Sequence, residues 1–258
     1  MIPLFDITQL SWSYGKKTIL QDFNLTIESG QFLGIIGPNG SGKTTLIKLM
    51  MGLLPSKHSI KLAGKPLSRY SHKERAKMIA YVPQRPETSY PYTVSELIMM
   101  GRYAHQSLWK QETEQDKQIV IQIMEELGIA SLSHQTIDTL SGGEMQLVLL
   151  GKALAQESSC LILDEPTNHL DAKHQGALLQ QLKRIQQKDI TIISIFHDIN
   201  AAVGYSDNIL LLENGHPVFY DRGNKLASSK QLEKVFGMTF VSFTRDNETY
   251  LLPERKHQ

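Results

Sequence analysis

Gly37-Pro38-Asn39-Gly40-Ser41-Gly42-Lys43-Thr44 fits the pattern G-x-x-x-x-G-K-[ST]. Its flanks decide how it is read. Residues 31–36 (QFLGII) are almost continuously apolar, as in a strand buried on both faces. Residues 44–51 carry a helical pattern. Strand, glycine-rich turn and helix in that order make a cradle for phosphate. The glycines let successive backbone N–H groups turn inward, and the helix N-terminus adds positive potential. In such a loop Lys43 brings a cation to the β- and γ-phosphates of a nucleotide, and Thr44 offers its hydroxyl to Mg²⁺. Thr45, next in line, completes the expected nucleotide-binding stretch.

A second segment supplies the other half of such a site. Residues 160–165 (CLILDE) are an apolar strand that ends in two carboxylates. Asp164 suits a Mg²⁺ ion, held directly or through water, and Glu165 suits polarising an attacking water. Taken alone, two acids at a strand end are as readily explained as a cap for the next helix. A phosphate loop in the same chain tips the balance toward chemistry.

Further apolar strands are expected at residues 190–196 and 208–212, and helical patterns separate the first of these strands. Alternating strands and helices argue for an α/β fold with a mainly parallel sheet. Ahead of it, residues 5–29 read as short strands joined by turns, with polar and apolar residues alternating near 24–28. From about residue 85 to 156 the pattern is mostly helical. Ile119, Ile123 and Leu127 recur at intervals of four, and the two prolines of residues 85–93 mark a loop into this insert. The expected organisation is a nucleotide-binding lobe made from residues 1–87 and 157–258, with a helical subdomain at 88–156. After residue 221 a helix at 229–236 and then strands through 250–252 are expected, with a frayed tail at 254–258.

Composition removes several classes. With 258 residues, 41% hydrophobic and 21% charged, the chain is not of disordered or collagen type. Lys plus Arg is 27 against 26 for Asp plus Glu, so the basic excess of a dedicated nucleic-acid binder is missing, and no nucleic-acid partner is expected. A single cysteine, Cys160, builds no internal disulfide and no zinc site, and reads as a small core residue. No apolar run approaches the length of a membrane span, and the first residues do not read as a signal peptide.

At Leu140-Ser141-Gly142-Gly143-Glu144 the chain resembles the ATP-binding-cassette (ABC) ATPases, whose signature is LSGGE. The rest of their set follows in order: Tyr14 where an aromatic stacks on adenine, Gln84 in YVPQ, Asp171 in NHLD and His197 in IFHD. The resemblance covers essentially the whole chain. It implies a P-loop nucleotide hydrolase core with an N-terminal antiparallel portion and an inserted helical subdomain. It further implies ATP and Mg²⁺ as cofactors and a head-to-tail dimer with a second copy of the chain. There, the Ser141–Glu144 segment of one copy faces the phosphate loop of the other, with Asp171 nearby. In that scheme Glu165 is the general base, His197 contacts the γ-phosphate, and Gln84 senses it as a metal ligand and links it to the helical lobe. The chemistry of the residues agrees, since Ser141, Gly142 and Gly143 stand ahead of a helix and present N–H groups suited to an anion. One departure stands out: Leu147 occupies the place where an Arg is common.

A free cassette with a short helical insert is similar to the ATPase subunit of a bacterial importer. Residues 94–105 (VSELIMMGRYAH) look like the corresponding stretch in ATPases that drive uptake of iron–siderophore complexes, haem and vitamin B12, with Ala104 in place of a proline. The resemblance implies integral-membrane permease subunits as partners, a substrate-binding protein as an indirect one, and a peripheral position on the cytoplasmic face of the inner membrane. Iron–siderophore complexes are the expected cargo, with haem or vitamin B12 as alternatives. A soluble ABC ATPase acting on nucleic acid or a protein assembly is the remaining alternative.

Overall fold

In the computed structural model, residues 2–56, 59–84, 90–105, 112–245 and 248–254 are described. Residues 85–89 of the expected loop at 85–93, the expected boundary at 87/88 and the tail beyond 254 lie outside them. The chain divides into two compact units. One combines Met1–Tyr70 with Thr191–Gln258, and the other is Ser71–Ile190.

The first unit opens with a hairpin of β1 (Phe5–Tyr14) and β2 (Lys17–Ile27). Phe23, Leu25 and Ile27 are buried while Asn24 and Thr26 face out, the alternation of a sheet with one wet face. Then come β3 (Phe32–Ile36), α1 (Lys43–Met50), β4 (Ile60–Leu62) and β5 (Lys65–Pro66), and β4 pairs antiparallel with β1. In the second unit lie α2 (His72–Met78), β6 (Ile79–Val82), α3 (Val94–Met99), α4 (Glu114–Glu126), α5 (Gly142–Ala155), β7 (Cys160–Asp164) and α6 (Ala172–Gln186). The chain returns to the first unit with β8 (Thr191–Ile195), α7 (Ile199–Tyr205), β9 (Asn208–Glu213) and β10 (His216–Asp221). It ends with α8 (Gly223–Ala227), α9 (Gln231–Phe236) and a hairpin of β11 (Phe240–Arg245) and β12 (Glu248–Pro253).

β3 is the spine of the first unit. All its residues are buried, and it pairs in parallel with β8 on one side and β9 on the other. Phe32 meets Ile192 and Ile36 meets Leu211, so the apolar run of the sequence becomes a strand covered on both faces. β10 adds antiparallel to β9. In the second unit β6 and β7 pair in parallel, with Ile79 opposite Cys160 and Val82 opposite Leu163. Cys160 is fully buried, and burial pushes its thiol up, away from the reactive thiolate.

The helices of the second unit start on side-chain caps. Ser71, Thr93, Thr113 and Ser141 each form a reciprocal capping box with the acid three residues on. α5 is the central helix, and Gly151 lets Ile98 and the side chain of Leu127 approach its backbone. Of the expected row, Ile123 and Leu127 are buried and Ile119 only half-buried; α4 also buries Val120 and Met124 beside them, and Asp116.

The reason for that burial is Arg102. Its guanidinium is nearly inaccessible and donates to Asp116 Oδ1 at 2.9 Å, to the Ala155 carbonyl at 2.7 Å and to Glu157 Oε2 at 2.6 Å. Gly101 lies so close to α5 that a Cβ there would stand 2.2 Å from the Lys152 carbonyl oxygen. His105 Nε2 is 2.8 Å from the Gln156 carbonyl oxygen. The Gly-Arg-Tyr-x-His stretch is thus a clamp that ties the end of α5 to the start of α4. Arg102→Ala strands a buried carboxylate, so a loss of about 3–5 kcal/mol is expected in denaturant unfolding. The hydrogen bond from Arg102, opposed by burial and aided by Thr113, holds the Asp116 carboxyl at about 2. This depressed value means the contribution is full above the unfolded carboxyl range near ~4 and is lost as pH falls through about 2.

Candidate active site

The phosphate loop sits between the C-terminal end of β3 and α1, and its shape depends on glycine. Gly37, Gly40 and Gly42 have φ of 149°, 79° and 105°. A Cβ on Gly37 would lie 2.2 Å from the Leu212 carbonyl oxygen, whereas one on Gly40 would meet nothing within 4 Å. The first position is therefore pinned against β9 and the second faces open space. Ser41 N–H donates to the Pro38 carbonyl at 3.2 Å and Gly215 N–H to the Ser41 carbonyl at 3.0 Å, which anchors the loop. Among the described residues the buried Ser41 hydroxyl meets no hydrogen-bond partner. Lys43 is buried and folds back over the loop, donating to the Gly37 and Pro38 carbonyls at 2.7 and 3.0 Å. Gly42 begins α1 without any side-chain cap. Thr44 is exposed and Thr45 half-buried in the first turn, and Asn39 is exposed at the loop tip. A cation, an uncapped helix start and an unpartnered hydroxyl in one cradle fit a polyphosphate.

Two further expected residues flank this loop within the same unit. β2 passes beside it, with the side chains of Ile19 and Leu20 against Gly42. The hairpin containing β2 carries Tyr14, which is 48% exposed and stands edge-on to Trp12 at 5.9 Å. The Tyr14 ring is thus carried by the hairpin whose second strand borders the loop. On the other side, Phe196 N–H donates to the Ile35 carbonyl at 2.9 Å, so exposed His197 leaves β8 level with the end of β3.

The second unit gathers the acids. β7 delivers Asp164, whose Oδ2 lies 3.4 Å from the Tyr81 hydroxyl on β6. Glu165 then turns into the left-handed region at φ 49°, a conformation costing on the order of 1–3 kcal/mol for a residue with a side chain. Pro166 follows, and Asn168 N–H closes the turn on the Glu165 carbonyl at 3.1 Å. Two amides reach the carboxylate. Gln84 Nε2 donates to Oε2 at 3.2 Å and Asn168 Nδ2 to the same oxygen at 2.6 Å. Gln84, Asp164 and Glu165 are therefore brought together. Tyr81 and Asn168 are partners that the sequence reading did not single out. Asn168 stands three residues after Glu165, the acid it holds, in the NHLD stretch read for Asp171.

Ser141 to Glu144 open α5. The Ser141 hydroxyl and N–H both donate to Glu144 Oε2, at 2.7 and 2.9 Å, and these bonds hold the Glu144 carboxyl below its ordinary range. The serine expected to bind an anion is thus engaged by its own capping acid. Gly143 is buried against the His174 ring, and a Cβ there would lie 2.7 Å from it. His174 in turn reaches Asp171, the cap of α6, with Nδ1 2.8 Å from Oδ2 and the backbone N–H donating to Oδ1 at 2.9 Å. These bonds lower the Asp171 carboxyl, the backbone one most. One histidine therefore joins the start of the LSGGE helix to the cap at Asp171. Leu147 is half-buried on α5. Among the described residues no helix is long and apolar enough to cross a membrane, and no cluster of acidic, histidine or cysteine ligands stands apart as a metal site.

Comparison with known proteins agrees with the geometry. The family model "ABC transporter" matches residues 20–168. The uncharacterized ABC transporter ATP-binding protein YvrA of Bacillus subtilis (strain 168) is 44% identical over 80% of this chain and 47% of its own length. The ferric enterobactin transport ATP-binding protein FepC of Escherichia coli (strain K12) is 35% identical over 89% of this chain and 86% of FepC. The hemin import ATP-binding protein HmuV of Pseudomonas fluorescens (strain Pf0-1) is 36% identical over 94% of this chain and 93% of HmuV. Among solved structures, an inward-facing transporter classed as metal-chelate type superposes with a TM-score of 0.86 at 26% identity, over 99% of each chain. The chain belongs to the ABC transporter family, as an ATP-binding subunit whose hydrolysis of ATP is coupled to transport.

Proposed function

We propose that this subunit powers the import of iron–siderophore complexes, working as an ATP-closed head-to-tail homodimer docked on integral-membrane permease subunits at the cytoplasmic face of the membrane. The observation that carries the cargo reading is the near full-length likeness to FepC and HmuV, whose names specify ferric enterobactin and hemin. The clamp at Gly101–His105 supports it, because its buried Arg102 gives the family-like stretch a structural reason while Tyr103 stays 61% exposed. Haem is the second reading, favoured by HmuV. A strain lacking this chain is expected to lose uptake of labelled ferric siderophore and keep that of haem and vitamin B12. Loss of haem or vitamin B12 uptake alone would move the cargo there, and unchanged uptake of all three would remove the import reading.

The site residues take the following roles in this proposal. Tyr14 stacks on the adenine, and the loop from Gly37 to Thr45 wraps the phosphates with Lys43 as their cation. Thr44, Gln84 and Asp164 offer the oxygen donors that Mg²⁺ prefers, and the ion would neutralise charge on the transferring phosphate. Glu165 takes a proton from the attacking water, and His197 holds that water against the γ-phosphate. The second copy brings Ser141, Gly142, Gly143, Glu144 and Asp171 to the same ATP. Its serine must exchange part of its bond with Glu144 for one to phosphate, an exchange of similar bonds that costs little.

Ser141→Arg tests the trans contact. The expected result is unchanged ATP affinity for the monomer and loss of the ATP-dependent dimer in sedimentation, with turnover down by about 10²-fold. An ordinary ATP dimer would refute the contact.

A further inference from the structure

We propose that Asn168 is a positioning residue for hydrolysis: its side-chain amide fixes the Glu165 carboxylate by Oε2 and so presents Oε1 to the attacking water. The inference rests on the assignment of Glu165 as the base. In the step concerned, the water oxygen bonds to the γ-phosphorus and its proton passes to Oε1. The bond to the bridging oxygen breaks, and its electron pair leaves with ADP.

Three observations carry it. First, the turn does not need the side chain. The Asn168 backbone N–H already closes it on the Glu165 carbonyl at 3.1 Å, and it is His169, not Asn168, that has the left-handed φ of 64°. The 2.6 Å bond from Nδ2 to Oε2 is additional. Second, Glu165 needs a restraint. It follows β7 in a left-handed conformation, half-exposed, where a flexible side chain has several rotamers to lose. Third, the other donor has different work. Gln84 also holds Oε2, but its bond is the longer one, at 3.2 Å, and it comes from 81 positions away with a metal and the γ-phosphate as its further proposed partners. Asn168 is fixed three residues from Glu165 by the turn's own backbone bond. Both bonds fall on one oxygen, and neither occupies Oε1.

The test is steady-state ATPase activity and equilibrium ATP binding of the purified chain, compared with Asn168→Ala, Asn168→Asp, Glu165→Gln and the Ala/Gln double variant. Asn168→Ala is expected to lower kcat about tenfold, with KM and ATP affinity unchanged within about twofold, as for a base that has lost its alignment. Asn168→Asp keeps the size and the backbone bond but sets a carboxylate against a carboxylate, and should lose at least as much. Adding Asn168→Ala to Glu165→Gln should change little, since both act through one group. Wild-type kcat in both Asn168 variants, with Glu165→Gln inactive, would overturn the role of Asn168 alone. So would a parallel loss of ATP affinity and melting temperature, the mark of a residue that only holds the turn. Full turnover in Glu165→Gln would overturn the base assignment itself.

Discussion

Glu165→Gln binds Mg-ATP about as well as the wild type, turns it over at least about 10²-fold more slowly, and accumulates as an ATP-bound dimer. The substitution is close to isosteric. It keeps an oxygen able to accept from Gln84 and Asn168, the two amides now 3.2 and 2.6 Å from Oε2. It takes away the negative charge and, with it, the capacity to receive a proton. The phosphate loop proposed to carry ground-state binding is left alone, so the loss is expected on kcat and not on KM. If ATP closes the dimer and hydrolysis opens it, removing hydrolysis holds the closed state. Rapid-quench measurement of phosphate release, with sedimentation in the presence of ATP, checks both halves. Normal turnover would place the base elsewhere.

Lys43→Ala has the opposite profile. The ammonium group lies over the phosphate loop, bound to the Gly37 and Pro38 carbonyls at 2.7 and 3.0 Å. Charge-assisted bonds of this kind contribute roughly 1.5–3 kcal/mol each, and two of them to phosphate oxygens correspond to about 10²–10⁴-fold in affinity. ATP binding by equilibrium dialysis or calorimetry should weaken by at least about 10²-fold, and activity with it. The same change removes two bonds to the loop's carbonyls, so a lower melting temperature in the absence of nucleotide is expected too. Unchanged affinity would take Lys43 out of the phosphate site.

The parts of the site that could be read from the sequence are those whose chemistry is local. Between β3 and α1 every residue of the motif is a neighbour of the next, and the positive φ values at Gly37, Gly40 and Gly42 are what the glycines foretell. The strand ending in Asp164 and Glu165 was equally plain. The Ser141–Glu144 pair is also a local pattern, that of a capping box, in which the acid three residues on holds the serine. What escaped depends on distance. Asp116 looks like a solvent-facing acid near a helix start, and only Arg102, brought against it from fourteen positions earlier, makes it a buried partner. Tyr81 meets Asp164 across 83 positions. Asn168 is near in sequence, but its role depends on the sharp turn at Glu165, which no periodicity announces.

The central claim is that ATP chemistry in this chain drives a membrane transporter. The most direct measurement is to tag Glu165→Gln, hold it closed with Mg-ATP in solubilised native membranes, and identify what is retained with it. The expected result is a polytopic permease that carries no cassette of its own. Nucleic acid or ribosomes without a permease would contradict it.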